Sequence, residues 1–196
     1  MSNFKSCTPA KAGDNIITCE VVLAYPNLFK ATLMKGETDQ AKANYNVTAL
    51  VPKGSDLALL VEKANAVGAD KHGKNVKFKK PFIKTEDQQG KIAEFAEEFP
   101  TMLRMSSKSK PGVVFPNGKQ CDDPEQVYSG RKARISVNVY GWAHPTGGKG
   151  VSLGLGNVQL LDHGDPLPLG GRMAAEDEFE AVEVSGETGS VDDIYS

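Results

Sequence analysis

The clearest pattern in the chain is a strict alternation over Arg131–Ala143. The odd positions are Arg131, Ala133, Ile135, Val137, Val139, Gly141 and Ala143, almost all apolar. The even positions are Lys132, Arg134, Ser136, Asn138, Tyr140 and Trp142. A period of two marks a strand with one buried face, so the odd positions are expected to face a core. Gly147-Gly148 then turns the chain, and Gly150–Leu161 returns as a hairpin partner.

Other segments follow the same logic. Asn15–Tyr25 is rich in β-branched residues and reads as a strand ended by Pro26-Asn27, with Phe29–Met34 as a second, shorter one. Tyr45–Val51 is a third, with Tyr45, Val47, Ala49 and Val51 on one face. The period then lengthens: Leu57, Leu60, Val61 and Ala64 fall on one face of a helix, with Ser55 as N-cap and Gly68 as C-cap. Gly90–Phe99 contains a helical turn, Thr101–Ser106 is a strand, and Val113–Phe115 follows the break at Pro111-Gly112. The expected class is mainly β: an OB-fold-like five-stranded barrel with one helix between strands three and four, and an extra C-terminal hairpin.

Charge divides the chain at Arg172. Residues 1–172 hold all 23 Lys and Arg against 17 Asp and Glu, whereas residues 173–196 hold eight acids and no base. The whole-chain net charge of −2 therefore hides a basic body with an acidic tail. We expect an OB-fold-like domain over 1–172 and a largely disordered tail over 173–196. A basic body seeks a polyanion, and a tethered acidic tail can compete for the same surface.

The even face of Arg131–Ala143 presents cations, then small hydrogen-bonding groups, then two rings. Single-stranded nucleic-acid binders need such a face, because cations follow the phosphates while rings stack on bases of any sequence. Lys132, Arg134, Tyr140 and Trp142 are the first candidates. Lys77, Lys79, Lys80 and Lys84 surround Phe78 and Phe82, and Phe82 joins the candidates as a ring within a basic run. Arg104, Lys108, Lys110 and the hairpin-tip Lys149 offer further cations suited to phosphate oxygens. Stacking grooves accept RNA as well as DNA.

Catalytic and metal motifs are missing from the sequence. Gly148-Lys149 lacks both the upstream glycine and the following Ser or Thr of a phosphate-binding loop, and Gln159 stands where Gly154-Leu155-Gly156 would need a final glycine. Cys7, Cys19 and Cys121 are far apart, as are His72, His144 and His163, so neither a disulfide framework nor a zinc site is expected. No cofactor and no enzymatic activity are expected. No stretch reaches the roughly 20 apolar residues of a membrane span, and the N-terminus shows no apolar signal region.

Several short stretches resemble one family in joint order and spacing. They are Val127-Tyr128-Ser129-Gly130-Arg131 through Tyr140, Lys149-Gly150-Val151-Ser152-Leu153-Gly154-Leu155, Asn157-Val158-Gln159, and Leu169-Gly170-Gly171 before an acidic segment with Phe179. Together they resemble the tailed-phage single-stranded-DNA-binding proteins, OB-fold proteins with an acidic C-terminal tail. The resemblance implies a protein of the bacterial host cytoplasm that coats single strands without catalysis during replication and recombination, and it would map the family's groove to Arg131 together with Lys132, Arg134, Tyr140 and Trp142. It also implies a tail that recruits replication or recombination proteins, which would place that contact at Asp192, Asp193, Ile194 and Tyr195. The competing expectation is a virion or assembly protein whose basic body binds an acidic protein surface.

Overall fold

The computed structural model describes residues 9–33 and 36–169. The acidic tail, Asp192–Tyr195 included, and Cys7 lie outside the described residues. Among the described residues nine strands and one α-helix follow in the order β1 (Ala10–Ala12), β2 (Asn15–Ile17), β3 (Val21–Thr32), β4 (Asn44–Val51), α1 (Ala58–His72), β5 (Phe82–Lys84), β6 (Thr101–Ser107), β7 (Val113–Val114), β8 (Lys132–His144) and β9 (Gly148–Leu160). Short 3-10 turns lie at Gln40–Lys42, Lys91–Phe95 and Pro124–Gln126.

Five strands close into a ring. β3 pairs antiparallel with β4 and with β8, β4 with β6, and β8 with β9, while β6 meets β9 in parallel through Met105↔Leu153 and Ser106↔Gly154. In ring numbering the neighbours run first, second, third, fifth, fourth and back to first, the Greek-key order of an OB-fold. The β8–β9 hairpin therefore belongs to the ring and is not an appendage. The additional β-structure is the β1–β2 hairpin, added to β8 through Ile16↔Val137, together with β5 and β7.

Two expectations change for one reason. Pro26-Asn27 does not end a strand: β3 runs through it, with a register shift between Ala24↔Thr48 and Asn27↔Asn46 that inserts one extra residue. Such a bulge accommodates the proline without breaking the ladder. What read as two strands is one, so the helix lies between the second and third ring strands, one place earlier than expected. The helix also starts and ends later. Asp56 Oδ1, not Ser55, accepts from the Ala58 amide at the first turn. The helix continues past Gly68 to His72 and stops at Gly73, whose φ of 99° suits a glycine.

Alternation along β8 places Ala133, Ile135 and Val137 inside the ring at 0% exposure. They join Val21, Leu23, Leu28, Val47, Ala49, Leu103, Met105, Leu153, Leu155, Val158 and Leu160 in the main core. Leu57, Leu59 and Leu60 of the helix region pack on the same core. Gly68 lets the Phe78 ring lie against the helix where a Cβ would collide with it. A second apolar cluster forms outside the ring, where Val22, Ala24, Leu50 and Met102 are covered by Ile92, Phe99 and Leu169. One end of the outer surface of β3, β4 and β6 is thus sealed, and the other stays open. Cys19 and Cys121 are buried thiols of the main core.

Gly130, just before β8, combines φ of +111° with a backbone approach to Asp165 that leaves no room for a Cβ. Gly130→Ala is expected to cost about 2–4 kcal/mol, from strain plus overpacking. Chemical denaturation would show this as a lower midpoint at unchanged slope.

Candidate nucleic-acid interface

In an OB-fold the outer face of the second and third ring strands, with the loops between strands one and two and between four and five, is the surface that takes oligonucleotides. Here that surface is β4 and β6, flanked by the β3–β4 loop and the β8–β9 turn. Because Val47, Ala49 and Met105 point inward, Asn46, Thr48, Arg104 and Ser106 point outward. Thr48↔Arg104 and Asn46↔Ser106 are directly paired, so the four form a polar patch on two adjacent strands. Arg104 is exposed, and its Nη2 donates to Gln88 Oε1 at 2.7 Å.

The patch continues around the ring. Ser106 pairs with Gly154, and Gly154 with Asn138. Two residues earlier on β6 and β9 stand Arg104 and Ser152, and Ser152 pairs with Tyr140. One belt therefore crosses the strands from Thr48 through Arg104 and Ser152 to Tyr140, which is 44% exposed. Gly150 pairs with Trp142 and is buried beneath its indole, where a Cβ would lie 2.5 Å from the ring. Tyr140 and Trp142 thus lie on one outer face, as the alternation predicts.

The basic run before β5 docks beside this face. Lys79 N donates to the Lys149 carbonyl at 2.9 Å, and Val151 N donates to the Lys79 carbonyl at 2.9 Å. Three residues later the same segment becomes β5 and pairs with β6 through Phe82↔Leu103. It therefore bridges β9 and β6 and brings the exposed Lys77, Lys79 and Lys80 to the hairpin tip that carries Lys149. On the inward-parity side of the same hairpin, opposite Trp142, Lys71 lies against Gly141, where a Cβ would be 2.8 Å from its side chain, and His72 Nε2 contacts the Gly150 carbonyl at 3.1 Å.

Other candidates have different surroundings. Phe82 is half-buried and its ring packs on the main core. Lys84 pairs with Glu86 at 2.9 Å, and that hydrogen bond, with the charges of Glu86 and Asp87, raises the ammonium pKa above its ordinary value. At the opposite end of the open face, Lys108 Nζ donates to the Ala41 and Ala43 carbonyls at 2.7 and 3.3 Å, tying the β3–β4 loop to β6. Lys110 Nζ stands 5.4 Å from the centre of the Phe29 ring, a cation–π contact.

Arg131 leaves the candidate surface. It is 3% exposed, its Nη2 donates to the Leu161 carbonyl at 2.7 Å, and its Nη1 lies against the His163 ring. As an odd position it follows the buried parity, and its guanidinium anchors the chain leaving β9. Lys132 and Arg134 are half-buried at the end of β8 remote from Trp142, where Arg134 Nε donates to the Thr18 carbonyl at 3.4 Å. Lys132 neighbours Glu20, whose carboxyl burial pushes upward in pKa, opposed by the Lys132 charge and assisted by that of Asp162.

Sequence reasoning missed Asn46, Thr48 and Ser152, although the apolar parity of Tyr45–Val51 already placed the first two on the opposite face. It also missed Lys71 and His72, which only the helix extension brings to the hairpin. Among the described residues no group of three or more His, Cys, Asp or Glu could hold a metal ion, and no helix is long and apolar enough to cross a membrane.

Comparison with known proteins gives a consistent answer. The model of a family described as Enterobacter phage Enc34, ssDNA-binding protein, matches residues 14–189. Among solved structures, the single-stranded DNA-binding protein from bacteriophage Enc34 in complex with ssDNA is similar at TM-score 0.65 and 16% identity, over 81% of this chain and 96% of that one. Gp2.5, a single-stranded DNA binding protein encoded by bacteriophage T7, is similar at TM-score 0.54 and 16% identity, over 89% and 97%. The search of curated proteins found no match.

Proposed function

We propose, from the premise that this chain belongs to the Enc34 single-stranded-DNA-binding protein family, that it binds single-stranded DNA without sequence preference and without catalysis. The belt on the outer face carries the reading. Arg104 stands amid hydroxyl and amide side chains, Tyr140 and Trp142 offer rings at one side, and Lys77, Lys79, Lys80 and Lys149 gather at the hairpin tip. Cations hold phosphates there while rings take bases. Lys84, Lys108, Lys110, Lys132 and Arg134 form an outer set whose contacts shape the body more than they face a strand.

The setting is phage replication and recombination in the cytoplasm of the bacterial host. The acidic residues 173–196 compete with DNA for the basic face and, through Asp192, Asp193, Ile194 and Tyr195, recruit replication or recombination proteins. The competition follows from tail charge opposite in sign to the body, and the recruitment is what the family resemblance implies.

The test is a titration with oligo-dT followed by fluorescence of Trp142, the one tryptophan in the chain. Quenching is expected, with weaker binding to duplex. The log–log salt slope should lie between about −2 and −4, from roughly 0.7 per neutralised phosphate. Salt-independent binding or a preference for duplex would sink the proposal.

A further inference from the structure

Tyr25 stands apart from every other residue of the ring. Its φ is 49°, and among the described residues no other non-glycine has a positive φ. A bulky side chain in that region is strained at a cost of order 1–3 kcal/mol, and such strain persists only where the surroundings enforce it. The surroundings do so here. Tyr25 N donates to Ser129 Oγ at 3.0 Å, and the Tyr25 carbonyl accepts from Asn27 Nδ2 at 3.2 Å. Asn27 Nδ2 is itself fixed on Asn46 Oδ1 at 3.0 Å. The strained residue also sits at the β3 bulge, a device that re-aims side chains.

The ring gains nothing from packing for this strain. Tyr25 is 44% exposed and belongs to neither apolar core, whereas its neighbours Ala24 and Leu28 are buried. Its position in the ring supplies a reason. Ala24 is in register with Thr48, and Thr48 with Arg104, so Tyr25 follows the β3 end of the belt whose other end is Tyr140. Four inter-strand steps of about 4.8 Å separate the two ends, a path of roughly 19 Å with Arg104 near its middle.

We infer that Tyr25 is a second base-stacking platform, held out at the far end of the belt by the strained bulge, for the DNA strand that leaves Arg104. The inference rests on the single-strand reading above. It makes the path span all five ring strands and puts an exposed ring at each end with a cation between.

Three substitutions test it against oligo-dT. Asn tolerates a left-handed backbone, so Tyr25→Asn keeps the fold while removing the ring. It should weaken binding by about 5- to 100-fold with an unchanged salt slope, because a ring neutralises no phosphate. Tyr25→Phe should stay within about twofold of wild type. Tyr25→Gly should lose affinity while its thermal midpoint equals or exceeds that of wild type, since glycine relieves the strain.

Unchanged affinity of Tyr25→Asn, with wild type binding normally, overturns the inference. So does a Tyr25→Gly midpoint lowered as by a core truncation, which would make the ring structural. Failure of wild type itself to bind oligo-dT removes the single-strand reading, and the inference with it. If Tyr25→Asn does not fold, Tyr25→Trp in a Trp142→Phe background decides. Quenching of the residue-25 indole by oligo-dT upholds the inference, and an unresponsive indole overturns it.

Discussion

Trp142→Ala weakens oligo-dT binding by about 1–3 kcal/mol, roughly 5- to 150-fold, and leaves the salt slope unchanged. The expectation follows from where the indole lies. Strand β8 puts Trp142 and Tyr140 on the outward parity, and Gly150 across the ladder leaves the indole room against β9. The indole is partly exposed there, and stacking needs an accessible ring. Lys149→Ala provides the contrast. It removes a cation without a ring, so its loss is smaller, grows at low salt and reduces the slope by about 0.7. Affinity measured at three or more salt concentrations separates the two effects. A salt-dependent loss for Trp142→Ala would mean that the indole only supports neighbouring cations.

Deleting residues 173–196 tightens DNA binding about tenfold at low salt. The segment carries eight acids and no base, against a body holding all 23 Lys and Arg. Chain linkage gives it an effective concentration on the order of 1 mM at the basic face, and a contact with Kd on the order of 0.1 mM then masks about nine-tenths of that face. The gain should shrink as salt rises, because exposed charges are screened within about 8–10 Å near physiological ionic strength. Parallel titrations of the full chain and the truncated chain provide the measurement. Equal affinities at every salt concentration would leave the acids with partner recruitment alone.

The sequence revealed elements where pairing is local and misled where it is not. The β8 alternation and the Gly147-Gly148 turn were legible because a hairpin sets its own register with nearby residues. The 69–99 region was not, since Lys79 and Phe82 acquire neighbours on β9 and β6, 71 and 21 positions away. Gly68 looked like a helix stop because left-handed caps favour glycine, yet it serves the Phe78 ring. Pro26 looked like a strand end because a proline removes a ladder donor, yet the bulge absorbs it.

The interface was partly readable for the same reason. Parity placed Tyr140 and Trp142 outward and already set Arg131 among the inward positions, where the structure buries it, against the resemblance that made it a candidate. Composition alone placed the lysines near nucleic acid, but Lys84 and Lys108 are engaged by a carboxylate and by two carbonyls that only the folded chain supplies. Tyr25 gave no sign at all, because nothing in a tyrosine codes for a positive φ.

Closure of the ring sets the order in which this protein can be made. Each remaining seam, to β8 and to β6, needs β9, the last strand among the described residues. A nascent chain that has emerged only as far as His144 holds four ring strands whose apolar sides still lack Leu153, Leu155, Val158 and Leu160. The belt does not exist at that moment either, since Ser152 and the glycines under Trp142 and Asn138 are still to come. Synthesis thus passes through a sticky, open four-strand sheet before it reaches a binder, and the acidic segment follows only after the surface it would guard has been completed.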